Sequence, residues 1–219
     1  MPSQTTWGHV RGTKTYLRID RSFRRNTYSY SRSRNGFTTY HGAYGLFGVG
    51  REPALDIQWW NAPETWRFAW GSRLEGYALF GGTAWGDQYA YAEGRNEDPR
   101  AVYLLEATTM RPEVLAPSFE AFLKDELLPN ARDPVDDMTI QAVGRFGPIR
   151  PENHWVYAPA LPLGGSEDIG HVVVLPGEVA MTFAGDIAAA LERVGYERHP
   201  WGVDPYTDTK GRARLNVIV

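Results

Sequence analysis

The chain has 219 residues, no cysteine and a net charge of −3, with the proportions of hydrophobic (42%) and charged (22%) residues that are usual for globular proteins. The absence of cysteine excludes disulfides, thiolate metal sites and cysteine nucleophiles. No run approaches the ~18 to 20 apolar residues that a membrane helix needs, and residues 1–9 lack the pattern of a secretion signal. We therefore expect one core with decorated ends, located in the cytoplasm and without a membrane partner.

The charge is unevenly distributed along the chain. Residues 1–40 contain eight basic residues and one acid, Asp20, which gives this segment +7 and leaves −10 for the remainder. Either this basic arm folds against its own acidic body, or it binds an acidic surface while the body binds a basic partner. Interleaved Arg and Tyr residues in the arm are also typical of proteins that bind single-stranded nucleic acids, but the pI of about 6.0 argues against that use.

The predicted elements of the first half are short strands. Residues 13–19 alternate as a strand, and residues 23–44 fit either a polar hairpin around the turn Asn35-Gly36 or a partly disordered segment, of which we favour the hairpin. Glycines punctuate residues 42–50, which predicts a loop. Short β-rich runs separated by Asn, Pro, Gly and Asp then predict an antiparallel meander, with strands at residues 54–60, 65–70, 75–80, 88–92 and 101–106.

Two helices are well marked in the second half. Ser118 is a candidate N-cap for an apolar stripe that begins at Phe119, and Pro129 is expected to end this helix. The second helix runs from about residue 178 to residue 194, with Gly195 at its C-terminal cap. Two further strands are predicted, at residues 171–175 and 216–219. The expected fold is α+β, a mostly antiparallel twisted sheet packed by two or three helices, with a basic β-rich N-terminal extension.

Catalytic and metal-binding patterns are missing from the sequence. No two histidines have the i,i+4 spacing of a helical metal site, and His154 is predicted to be an ordinary loop histidine. Asp204 and Asp208 are predicted to lie in a turn, because a calcium loop needs further acids and a final glutamate at set spacing. We therefore expect that the protein is not an enzyme and binds no cofactor or metal.

Several stretches resemble known families. Residues 79–91 (LFGGTAWGDQYAY), residues 102–105 and residues 116–123 resemble the strand–Gly-Asp–strand and helix signature of the SUKH superfamily, bacterial immunity proteins and related regulators that bind partner proteins. Residues 146–149 and 157–165 are similar to the C-terminal signature of type VI secretion immunity proteins with a GAD-like domain. The resemblance implies binding of a partner protein, without catalytic residues or a cofactor.

The sequence thus predicts a basic aromatic arm or hairpin at residues 1–44 and a single SUKH-like α+β domain at residues 45–219. We expect an immunity protein that neutralises a cognate bacterial toxin by direct complex formation; the alternative is a structural or adaptor subunit that docks through its basic arm. Acidic loops would suit a basic partner such as a nuclease, although they also fit ordinary solvated loops. The expected partner-binding residues are Glu93, Glu97, Asp98, Asp133, Asp136 and Asp137 in the body and Arg24, Arg25, Arg32 and Arg34 in the arm.

Overall fold

A six-stranded antiparallel sheet, with its strands in chain order, forms the centre of the computed structural model. The structure describes residues 35–50, 55–195, 200 and 202–218, so most of the predicted arm lies outside it. The strands are β1 (Phe37–Thr39), β2 (Tyr44–Leu46), β3 (Tyr77–Thr83), β4 (Gln88–Ala92), β5 (Val102–Leu105) and β6 (Pro112–Ala116). The predicted α+β class with a mostly antiparallel sheet is confirmed.

Helices and two small hairpins complete the described structure. The α-helices are α1 (Ile57–Trp60), α2 (Phe119–Ala121), α3 (Leu128–Arg132), α4 (Asp137–Phe146) and α5 (Gly177–Val194), with a π-helical segment, Phe122–Leu127, between α2 and α3. Short 3₁₀ segments are Tyr40–Gly42, Arg67–Leu74, Leu161–Leu163 and Ile169–His171. The hairpins pair β7 (Asn153–Tyr157) with β8 (Val172–Pro176) and β9 (Gly202–Thr207) with β10 (Ala213–Ile218). Within the described residues, every helix is too short or too polar to cross a membrane.

The sheet is the middle layer of the fold, because side chains on both of its faces are buried. On one face, Tyr77 and Leu79 pack with the buried Trp60, Trp66 and Trp70 and with Met181 of α5. On the opposite face, aromatic side chains from β3 and β4 pack with residues of the π-helical segment and with Trp155; they are Phe80, Tyr89 and Tyr91. Central strands with two buried faces lack polar alternation, which explains the continuous apolar run of β3.

Two predicted strands are wrong, since the chain is helical there. In residues 54–60, the Asp56 carboxylate accepts a hydrogen bond from the Trp59 N–H at 2.8 Å and caps α1. From residue 65 to residue 74, the buried residues Trp66, Ala69, Trp70 and Leu74 recur at helical spacing. The high β-propensity of tryptophan and phenylalanine obscured this period.

The helix predicted at Ser118 is confirmed at its start and extends beyond its predicted end. The Ser118 Oγ accepts a hydrogen bond from the Ala121 N–H at 3.2 Å. Pro129 does not end the helix, which passes through the π-helical segment into α3 and ends at Arg132. The Leu128 N–H donates to the carbonyl of Leu123, five residues earlier, so the wider turn precedes the proline.

The remaining predictions for the second half are confirmed in part. The predicted helix at 178–194 is α5, with Gly195 at its C-cap, and the predicted strands at 171–175 and 216–219 are β8 and the end of β10. Asp208 lies in the predicted turn, but Asp204 lies in β9. The predicted loop at residues 42–50 contains β2, and β6, β7, β9 and α4 were not predicted.

Candidate functional site

A groove of about 710 Å³ lies between the β7–β8 hairpin, helix α5 and one end of the central sheet. Its apolar walls come from β8 and α5, from residues 158–163 after β7, and from the C-terminal hairpin. Its volume is within the range of about 300–1,000 Å³ that is usual for binding pockets in proteins.

An aromatic wall borders the groove. The ring of Trp85, in the turn between β3 and β4, stacks on Tyr157 with centroids 5.3 Å apart and an interplanar angle of 16°, and Trp155 lies 5.4 Å away. The indole N–H of Trp85 donates to the Thr139 hydroxyl at 2.8 Å, and that hydroxyl donates to Asp136 at 2.7 Å. Trp85 is therefore held by the first turn of α4 as well as by its own turn.

The turn that carries Trp85 depends on Gly86. Its φ is +97°, a backbone conformation that favours glycine, and a Cβ there would lie 3.1 Å from the Met181 sulfur and 3.3 Å from the Ala107 Cβ. The backbone N–H of Trp155 donates to the carbonyl of Ala84 at 2.8 Å, which attaches β7 to this turn. The hairpin register then places Trp155 and Tyr157 on one strand face, two residues apart.

Four carboxylates line the groove: Asp87, Glu106, Asp136 and Glu167. Asp87 accepts hydrogen bonds from the Ala107 N–H at 3.0 Å and from the Thr83 hydroxyl at 3.1 Å. Burial raises the pKa of Asp87, and the charges of Glu106 and Asp136 act in the same direction.

Glu167 and Asp136 also act on the aromatic wall. Burial raises the pKa of Tyr157, and the charges of these two carboxylates raise it further. None of the described residues that line the groove is a lysine or an arginine. The groove therefore combines an apolar interior with a negative potential that no lining cation offsets.

Two polar groups in the groove lining are buried and lack a hydrogen-bond partner among the described residues: the Nδ1 of His154 and the indole Nε1 of Trp155. Burial lowers the pKa of His154 to about 4, so the imidazole is neutral near pH 7. Its ring lies edge-on to Trp60, with centroids 5.5 Å apart. Both atoms are buried behind the surface of the groove, so a ligand could reach them only if the lining moved. His154 lies in β7, and the prediction of a loop histidine is therefore wrong.

The predicted acidic residues fall into two groups near opposite ends of β4. Glu93 follows the end of the strand, whereas Asp87 precedes its start, so the two lie six residues and roughly 20 Å apart along the strand direction. In the loop after Glu93, Glu97 accepts hydrogen bonds from Arg95 at 3.0 Å and from the Tyr77 hydroxyl at 2.8 Å. Asp98 binds Arg100 at 3.2 Å. Neighbouring arginines therefore offset the charge of Glu97 and Asp98.

The second acidic group lies at the start of α4. Asp136 caps the helix, accepting from the Met138 N–H at 2.9 Å, and it lines the groove. Asp133 and Asp137 are exposed and form no ion pair with any described residue. The four predicted arm residues, Arg24, Arg25, Arg32 and Arg34, lie outside the described residues.

Sequence reasoning missed most of the groove. Asp87 and Trp85 were noted only as parts of a hairpin signature and Tyr157 only as the start of the 157–165 signature, and Glu106 and Trp155 carried no motif. These residues come from separate segments that the sheet and the β7–β8 hairpin bring together, so no local spacing marks them. Within the described part of the chain, no three His, Asp or Glu side chains converge as ligands for a metal ion.

Comparison with known proteins gives a weak structural likeness. No family model matches the chain, and no curated protein matches it. A solved structure described as the crystal structure of Atu4351 from Agrobacterium tumefaciens matches with a TM-score of 0.49 and 12% identity. The match covers 88% of this chain and 83% of that chain.

Proposed function

We propose that this chain is an immunity-type protein that neutralises a cognate bacterial toxin by binding it directly. The observation that carries the proposal is the groove, where an aromatic wall adjoins four carboxylates without a lining cation. Tryptophan and tyrosine are over-represented among the residues that dominate protein–protein binding energies. A negative surface of this kind would attract a basic partner, such as a toxin that acts on nucleic acid, and would speed their encounter.

Exposed apolar side chains beside the groove favour a protein partner over a small molecule. Val173 of β8 and Val203 of β9 line the groove and are 39% and 41% exposed. A protein segment that covered the groove would remove both valines from water over one continuous surface.

The alternative function, a structural or adaptor subunit, rests on the basic residues of the arm. Those residues lie outside the described part of the chain, so no described contact supports docking through them. The groove supports the toxin-binding proposal more directly, because it provides both an apolar surface and a charge that a basic partner would complement.

A pull-down with the tagged full chain from its source cells, followed by mass spectrometry, tests the proposal. We expect one stoichiometric toxin-like protein. Co-expression of this chain should restore the growth of cells that produce that toxin-like protein. A set of repeated structural subunits, or a partner whose toxicity is unchanged by the complex, would overturn it.

Charge variants then test which surface binds that partner. Asp136→Asn removes a groove charge but keeps a good N-cap residue, so α4 should remain folded. Its matched control is Asp98→Asn in the loop after β4, which lies at the other end of the sheet. At low salt we expect the first variant to slow association by roughly tenfold and the second to leave it unchanged. Equal effects of both variants would remove the groove from the interface.

A further inference from the structure

We propose that the groove receives an arginine side chain from an apolar segment of the partner protein, with its guanidinium between the Trp85–Tyr157 stack and the surrounding carboxylates. This inference rests on the proposed function and names the chemistry of the partner's anchor. Arginine fits because its apolar stem would lie along the groove walls while its charged head meets the acidic residues. Its planar guanidinium also stacks on aromatic rings and binds carboxylates through paired hydrogen bonds, which an ammonium group cannot do.

The charges around the aromatic stack support this occupant. Asp136 and Glu167 act electrostatically on Tyr157, and Asp136 and Glu106 act on Asp87. Four carboxylates that line one groove without a cation repel one another, so an inserted positive charge would relieve that repulsion. Placing the charge beside the Trp85–Tyr157 stack would add a cation–π attraction.

The same protein uses this arrangement elsewhere. The guanidinium of Arg212 lies 3.5 Å from the ring centroid of Phe68 and bonds to the carboxylate of Asp208. Arg214 lies beside the same ring, at 5.2 Å, and bonds to Asp186. At Phe68, two arginines of the chain itself lie between an aromatic ring and two carboxylates. The groove has aromatic rings and carboxylates, but none of the described residues that line it is an arginine.

The test uses the full ¹⁵N-labelled chain and three blocked tripeptides, acetyl-Leu-Arg-Leu-amide and its citrulline and lysine counterparts. Citrulline has nearly the shape of arginine without the charge. We expect the arginine peptide to shift the indole N–H resonances of Trp85 and Trp155, with the citrulline peptide at least tenfold weaker and the lysine peptide in between. Equal binding of the arginine and citrulline peptides, or no shift at either indole, would overturn the inference.

Variants and a second probe complete the experiment. Glu167→Gln changes an exposed residue outside the helices and strands, so its fold should be unaffected, and it should weaken the arginine peptide several-fold. Glu113→Gln changes an exposed residue of β6 that does not line the groove, and it should leave the affinity unchanged. Argininamide that bound as tightly as the peptide would identify a small-molecule site and would also overturn the inference.

Failure of the arginine anchor can be distinguished from failure of the toxin-binding proposal. Failure of the peptides alongside a neutralising partner in the pull-down would remove only the arginine anchor. Peptide binding without any neutralised partner would instead remove the immunity function.

Discussion

Truncation of Phe122 to alanine tests whether the π-helical segment anchors one face of the sheet. The Phe122 side chain is fully buried. Its ring centroid lies 4.8 Å from that of Tyr89 and 5.9 Å from that of Phe80, both in edge-on geometry. Removing a buried phenylalanine ring costs about 3 to 5 kcal/mol, because the transfer energy is lost and a cavity remains. With Phe119 at 6.0 Å, three aromatic pairs are lost, which favours the upper half of that range, about 4 kcal/mol.

Urea denaturation followed by tryptophan fluorescence would measure this loss, and a thermal scan should show a midpoint lower by roughly 8 to 16 °C for a domain of this size. Phe146→Ala is the matched control, since that ring lies at the end of α4 and is 36% exposed. We expect the control to cost about 1 kcal/mol or less. Similar small losses for both variants would refute the placement of Phe122 in the core.

Three further predictions concern buried polar groups and a crowded glycine. Burial holds the pKa of His154 near 4, below its ordinary 6.5, so mainly the unfolded chain gains this proton as the pH falls from 7 to 4. The free energy of unfolding should therefore drop by about 3 kcal/mol over that interval. Urea titrations of His154→Gln should lose this pH dependence, and comparing the variant with the unmodified chain cancels the opposite effect of Asp87, which is present in both. Gly42→Ala should cost at least about 3 kcal/mol in the same assay, because its Cβ would lie 2.0 Å from a carbonyl oxygen, whereas Gly94→Ala, also at positive φ but in open space, should cost about 1 kcal/mol. Asp186→Asn removes the charge that pairs with a partly buried arginine, so it should cost roughly 3 kcal/mol and lower the hydrogen-exchange protection of β10; unchanged exchange would contradict this role.

Elements with a local signal were predictable from the sequence. The Ser118 cap with its apolar stripe and the long stripe of α5 ending at Gly195 each contain a start or stop signal within a few residues, and both helices formed. Strands β3 and β4 were predicted because apolar β-formers flank the turn at Gly86-Asp87. The segment Arg67–Leu74 was not, because its Trp and Phe residues favour strands locally while burial against α5 favours a helical turn.

The candidate site was less predictable than the fold. Asp136 was predicted to bind a partner, but as part of a loop. In the structure it is the N-cap of α4, and the Thr139 hydroxyl connects it by hydrogen bonds to Trp85 at the groove. The acids after β4 looked equally available in the sequence, yet Arg95 and Arg100 offset two of them. Side-chain pairing of this kind depends on loop geometry, which composition does not encode.

The order of the central sheet has a consequence for how the chain folds. Each strand pairs only with its neighbours in the sequence, so the six strands can form one after another as the polypeptide leaves the ribosome. The helix α5 must wait, because the indole of Trp70 donates to the carbonyl of Met181, 111 residues later. Synthesis would therefore leave the Trp60, Trp66 and Trp70 face of a nearly complete sheet uncovered until the last quarter of the chain arrives, and this interval is when the nascent protein is most exposed to aggregation.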